Sequence, residues 1–245
     1  MKTVGYKIVA TCLTLIFLAS FSVNASVTEQ QIQQDCKKTA RYSADGNKAY
    51  KNKDYDKARE HFTTQAAWSE FCQETDDKTS TAYNNVALTY IHQNSPLKAK
   101  AWLNLSPKSQ KSQYNLALIK EPLATLPAPT DFSGEYWQYA GFGQWNTFTV
   151  TPKGPKYQIE FNGLYMPNMA LYYGPNIGEL SGLITVHDNK AIYKGSEQSD
   201  DPQSTCQISI DFSENKNKVS LMTDGECGFG FNVVAYGDFE RVTSQ

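Results

Sequence analysis

The sequence predicts an α+β chain of two domains, an all-helical N-terminal domain followed by an antiparallel β-barrel, with a two-sheet sandwich as the alternative for the second. Three observations predict it. Apolar residues before position 120 recur at helical spacing, as in Tyr83, Val86, Ala87 and Tyr90. Beyond 130 they alternate, as in Thr147-Phe148-Thr149-Val150-Thr151 and Gln207-Ile208-Ser209-Ile210-Asp211-Phe212. Between the two patterns, from Glu121 to Thr130, stand Pro122, Pro127 and Pro129, a composition that favours extended chain. The expected division is therefore 26–120 helical, 121–130 linker and 131–245 barrel.

The first 25 residues read as a secretory signal. Lys2 and Lys7 form its basic start, Ile8 to Val23 its apolar core, and Val23-Asn24-Ala25 a small-residue cleavage site, so the mature chain is expected to begin near Ser26. Thr11, Thr14, Ser20 and Ser22 interrupt the core, which argues against a retained membrane anchor. Thr11 before Cys12, only five residues after Lys7, argues against a lipoprotein site. No later apolar run approaches spanning length, so no integral membrane segment is expected after cleavage. Without Lys2 and Lys7 the chain keeps 21 basic against 25 acidic residues, a balance that disfavours nucleic acid as partner.

Apart from Cys12 four cysteines remain, Cys36, Cys72, Cys206 and Cys227, an even number that suits an oxidising compartment. No two form a CxxC pair, which lowers the odds of a redox dithiol or zinc ribbon. The expected location is exported, periplasmic or secreted.

Within the helical half, Thr28 and Gln31 have the form of a capping box, so a helix is expected from near Glu29 through Cys36, Tyr42 and Tyr50. Asp54 caps its successor, and Ser95-Pro96 opens a later helix. A further helix from Pro107 to Lys120 covers the end of the stack. The run from Gly46 to Phe62 resembles the middle of a tetratricopeptide repeat, and the resemblance extends over roughly residues 39–106. Tyr42, Gly46, Ala58 and Phe62 stand at that family's large aromatic, helix-crossing glycine, small residue and second aromatic. Tyr83, Val86, Ala87, Tyr90 and Ala99 repeat the pattern. Asp45 and Gln65 depart from it, standing where the family has leucine and alanine. Gly46 and Ala87 lie 41 residues apart against about 34 in the family, so the first repeat's second helix, or the connection through Glu74 to Lys78, must be long. Two antiparallel helices folded about Asp54 bring Cys36 opposite Cys72.

In the second half, apolar runs near 135, 148, 158, 183, 192, 209, 221 and 235 predict short strands. Pro152-Lys153-Gly154-Pro155, Asp188-Asn189 and Glu214-Asn215-Lys216-Asn217 are turn signals. Gly134-Glu135-Tyr136-Trp137 and Gly237-Asp238-Phe239-Glu240-Arg241 loosely resemble the glycine-aromatic first strand and late arginine of lipocalin-like barrels. A hairpin turning at 215–217 pairs Cys206 with Cys227, Ile210 with Thr223 and Phe212 with Leu221.

Chemistry is thinly signalled. His61, His92 and His187 are scattered with no metal-ligand spacing, and no nucleophile motif accompanies them. Cys227-Gly228-Phe229-Gly230-Phe231 reads as a glycine-kinked strand rather than a phosphate loop, since no helix follows. The acidic run Glu197 to Asp201 lacks the alternating ligands of a calcium loop. No cofactor and no metal are expected.

The expected function is non-enzymatic: the helical repeats dock a protein or peptide partner. One alternative is a barrel that itself binds a small apolar ligand or blocks an enzyme, and another is a hydrolase with its site in the barrel mouth. By the repeat resemblance, the groove-facing residues are Ser43, Asn47, Tyr50 and Lys51, then Asn84, Asn85, Leu88 and Ile91. Ser43 stands where some members place a lysine or arginine for a terminal carboxylate, so the resemblance implies an internal extended segment as ligand. The stretch Gly163 to Asn176 is too long and too apolar for an idle turn. It is read either as a lid packing Tyr165, Leu171 and Tyr173 into the barrel or as a second binding segment presenting Tyr165, Met166, Met169, Tyr172 and Tyr173.

Overall fold

The computed structural model describes residues 26–195 and 205–244. The expected leader and the acidic run from Glu197 to Asp201 lie outside the described residues. The helical half comprises α1 (Glu29–Cys36), α2 (Thr39–Lys51), α3 (Tyr55–Phe71), α4 (Asp76–His92), α5 (Pro96–Leu103), α6 (Gln110–Leu118) and α7 (Lys120–Ala124). Side-chain oxygens hold two of the starts: Thr28 accepts from the Gln31 amide at 3.2 Å and Asp54 from the Lys57 amide at 3.3 Å.

The expected long first helix is instead broken at Lys37-Lys38. There the Lys38 amide turns back to the Asp35 carbonyl at 2.9 Å and the Thr39 hydroxyl donates to the Cys36 carbonyl at 2.5 Å, so the helix is interrupted and α2 starts afresh. The extra repeat length goes into α3, which runs 17 residues before a short connection. The helix past Pro107 is likewise split, and α7 carries the chain to Ala124, inside the expected linker; Pro122 is tolerated because it falls in the first turn.

Gly46 sets how closely α2 and α3 approach. A Cβ there would come within 2.5 Å of the Phe62 ring, so the glycine lets that ring approach the α2 backbone closely. Ala49, Ala58, Ala66, Val86, Ala87, Ala99 and Leu103 complete a core of mostly small side chains. Cys36 and Cys72 join at the far end of the hairpin, their Cα atoms 5.8 Å apart.

The sheet half is an eight-stranded antiparallel, nearly closed barrel: β1 (Gly134–Gly141), β2 (Gln144–Lys153), β3 (Lys156–Tyr165), the one-turn helix α8 (Ala170–Tyr173), β4 (Asn176–Ile184), β5 (Lys190–Lys194), β6 (Gln207–Phe212), β7 (Lys218–Asp224) and β8 (Tyr236–Arg241). The spatial order β4-β3-β2-β1-β8-β7-β6-β5 is two meanders joined where β1 pairs with β8. At the seam between β4 and β5 the Tyr193 ring lies so close over Gly182 that a Cβ would sit 2.1 Å from it.

Inward side chains fill the barrel, Tyr136, Phe148, Ile159, Phe161, Ile210 and Phe239 among them, each no more than 1% exposed. At one end Arg241 donates to the Tyr136 hydroxyl (2.9 Å) and to the carbonyls of Lys216 (2.9 Å) and Asp131 (3.0 Å), tying β8 to the start of β1.

The β6–β7 register differs from expectation by two residues: Ile210 faces Leu221 and Phe212 faces Val219. The turn is centred earlier, closed by the Ser213 amide on the Lys218 carbonyl at 3.0 Å. Because side chains alternate with period two, the shift leaves every residue on its expected face. Cys206 and Cys227 still meet, with Cα atoms 4.5 Å apart, beyond the end of the ladder. Two disulfides are the mark of a chain that folds in an oxidising, exported setting. Among the described residues no helix is long and apolar enough to cross a membrane.

Candidate functional site: the open face of the helices

The barrel occupies one side of the helices and thereby decides which side remains open. Outward residues of β1 and β2 pack on α3, α4 and α5: Trp137 stacks on Trp145 with centroids 5.1 Å apart, Trp145 meets Trp102 at 5.5 Å, and Tyr139 meets Tyr83 at 6.4 Å. Lys98 pairs with Glu135 at 2.9 Å over the Trp137 ring. At the centre, Glu70 of α3 accepts from the Tyr139 hydroxyl and, at 2.8 Å, from the Phe142 amide of the β1–β2 turn. Burial raises the Glu70 carboxyl above its ordinary range, the hydrogen bonds opposing it, and burial likewise raises the Tyr139 and Tyr83 phenols.

The 163–176 segment does not pack Tyr173 into the barrel: it exposes Tyr173 and, less fully, Tyr165, while Tyr172 is taken up elsewhere. Tyr172 leaves the barrel and docks on the helices, edge-on to Trp68 (5.6 Å) and Phe71 (5.7 Å), with its hydroxyl donating to Asp35 at 2.8 Å. Bonds from Lys38, Gln31 and Tyr172 lower the Asp35 carboxyl to about 2, and burial first, then Asp35, push the Tyr172 phenol up to about 12. Met166 and Met169 are half-buried, whereas Tyr173 stands largely in solvent and Tyr165 is 37% exposed. Tyr172 lies in α8, the one-turn helix between β3 and β4.

On the other side a groove of about 550 Å³ runs between α2 and α4, lined by Cys36, Thr39, Ser43, Gln65, Glu74 and Thr81. It meets a second hollow, about 740 Å³, between α4 and the α5–α6 connection, and Asp77 borders both. The groove's acids are already engaged. Glu74 accepts from Ser69 at 3.2 Å, shares the Thr39 hydroxyl (3.2 Å) with the Cys36 carbonyl and faces Lys78 at 3.6 Å, and Asp77 pairs with Lys111 at 3.2 Å. Gln65, reaching the groove from α3, is 8% exposed and its side-chain carbonyl has no hydrogen-bond partner. A buried acceptor left without a donor costs about 1–3 kcal/mol. The arrangement offers a hydrogen-bond acceptor in a cleft whose two carboxylates are both paired.

Of the sequence-expected groove residues, Ser43 lines this cleft. Asn47 and Lys51 are exposed, and Asn85 and Leu88 are half-buried. Tyr50 is committed to an aromatic cluster with Tyr55 (5.5 Å), His92 (5.3 Å) and Phe62 (6.5 Å), and Ile91 packs on the helical core. Asn84 is buried beneath α6: its amide donates to the Ser80 carbonyl (2.8 Å) and Ser112 hydroxyl (2.9 Å), and its carbonyl accepts from Asn115 (2.7 Å). The helix that caps the stack therefore consumes Asn84. Gln65 was not among the expected site residues, although its departure from the small residue of the repeat pattern was the visible signal. Compared with known proteins, the chain matches no family model, no curated protein and no solved structure.

Proposed function

We propose that this is an exported, non-enzymatic interaction protein, periplasmic or secreted, whose tetratricopeptide-like helices dock an extended internal segment of a protein partner in the α2–α4 groove. The observation that carries the reading is the unpartnered Gln65 carbonyl on the wall of that groove. An extended peptide presents main-chain N–H groups, which would satisfy it without any particular side chain. The internal pairing of Glu74 and Asp77 agrees, since neither carboxylate is left to select a fixed charge. The filled barrel interior and the commitment of its β1–β2 wall to the helices support the helical face over the barrel as the docking site.

Peptides selected from a random display library against residues 26–245 test this. A photo-crosslinker at Thr81 is expected to capture the selected peptides and one at Glu160, on the outer barrel wall, to capture none. Gln65→Leu is expected to weaken them about tenfold, the loss of one buried hydrogen bond, while the melting temperature holds or rises. Selected peptides that crosslink through Glu160 and ignore Gln65→Leu would move the function to the barrel.

A further inference from the structure

The barrel end where β3 leaves and β4 and β8 enter carries a surface that the groove reading does not use. The connection from β7 to β8 folds across this end: Phe229 packs on Phe161 (5.3 Å), Val233 is buried, the Gly230 backbone amide donates to the Ile177 carbonyl at 2.9 Å, and the Asn176 side-chain Nδ2 donates to the Phe231 carbonyl at 2.8 Å. The plug is thus anchored from within, yet Phe231 points outward and is 77% exposed. Eleven large apolar side chains are exposed among the described residues, several of them at this end. Tyr165, Tyr173, Ile177 and Phe231 form the rim on the β3–β4 side, while Met222 and Tyr236, paired across β7 and β8, stand on the opposite wall of the same end. The four rim residues mark a contact surface, since singly scattered exposed apolar residues are ordinary but several at one loop cluster are not.

The composition of the rim says what it meets. The stretches that build it, 163–176 and 227–237, contain no Lys, Arg, Asp, Glu or His, in a chain of which 20% is charged. The chain also enters the fold at this same rim. The Val27 amide donates to the Tyr173 hydroxyl at 3.3 Å, so the described chain begins beside Tyr173.

We infer that this rim rests reversibly on a lipid bilayer, with Tyr165, Tyr173 and Phe231 at headgroup depth and Ile177 beneath them. Tyrosine suits that depth because its ring is apolar and its hydroxyl reaches water. With no basic residue in either stretch, attachment rests on apolar burial and not on attraction to anionic lipid.

Flotation of residues 26–245 with phosphatidylcholine vesicles, with and without phosphatidylglycerol, at low and high salt, tests the inference. The protein is expected to float with both kinds of vesicle and to stay bound at high salt. Phe231→Ser with Tyr173→Ser should weaken binding about tenfold or more, with near-ultraviolet circular dichroism unchanged. In Phe231→Trp, expected to fold because the side chain already stands in solvent, fluorescence should shift to the blue with vesicles and be quenched by brominated lipid. Protein that stays at the bottom of the gradient, or floats only with phosphatidylglycerol and releases in salt, overturns the inference. So does a dimer in sedimentation that Phe231→Ser dissociates, because the rim would then be covered by a second copy. Gln65→Leu is expected to float like the parent protein, which separates this surface from the groove.

Discussion

The Tyr139 hydroxyl donates to the buried carboxylate of Glu70, and that single contact fastens the first barrel strand to the third helix. Its oxygen also accepts the Gly143 amide at 2.8 Å, while Glu70 takes the Phe142 amide, so the β1–β2 turn is held by a polar cluster inside an aromatic interface.

The cluster should make stability depend on pH. Burial holds the Glu70 pKa of the folded protein above its unfolded value, so the folded state keeps a proton that the unfolded state has lost. The contribution is complete below the unfolded value and is lost as pH rises through the folded one. Urea unfolding across the range from about pH 4 to 8 should therefore show the parent losing stability on the alkaline side relative to Glu70→Gln. Parallel profiles for the two proteins would remove Glu70 from the account.

Asp35 should act in the opposite sense. Its folded pKa, about 2, lies below the ordinary 3.8, so its stabilisation is present above 3.8 and lost as pH falls toward 2. Tyr172→Phe removes one of the three donors that depress it. The Asp35 carboxyl resonance should then titrate at higher pH, and Tyr172→Ala should in addition make the 163–176 segment a site of early proteolysis. Equal cleavage of the parent and Tyr172→Ala would mean that the segment is not held by α3.

Asn84→Ala is expected to destabilise by about 1–3 kcal/mol, because Asn115 and Ser112 stay buried while losing a partner. Tyr50→Ala should cost about 2 kcal/mol through lost contacts with Tyr55, Phe62 and His92. Asn47→Ala, at an exposed position, should leave chemical denaturation within about 0.5 kcal/mol of the parent. The ranking of the three midpoints checks the assignment.

Removing the helical disulfide through the Cys36→Ala, Cys72→Ala pair is expected to cost about 2–4 kcal/mol, read from thermal or urea unfolding. The helical half should melt first, since the same bridge holds the Asp35–Thr39 turn and the end of α3 together. Loss of barrel signal at the lower temperature would show that the two halves unfold as one.

Residue order alone determined the helical and alternating halves, the two disulfide pairs, the caps at Thr28 and Asp54 and the positions of eight strands, because each rests on local spacing or on a short hairpin. The β6–β7 register was legible only to within two residues, since period-two alternation scores both pairings alike. What the site residues do was decided by tertiary structure. Asn84, Tyr50 and Tyr172 all have the composition of binding residues, and each is instead taken up by a partner far away in sequence or on a neighbouring helix. Gln65 became a candidate because the packing of α2, α3 and α4 encloses its carbonyl without supplying a donor, a mismatch that exists only once the helices are together.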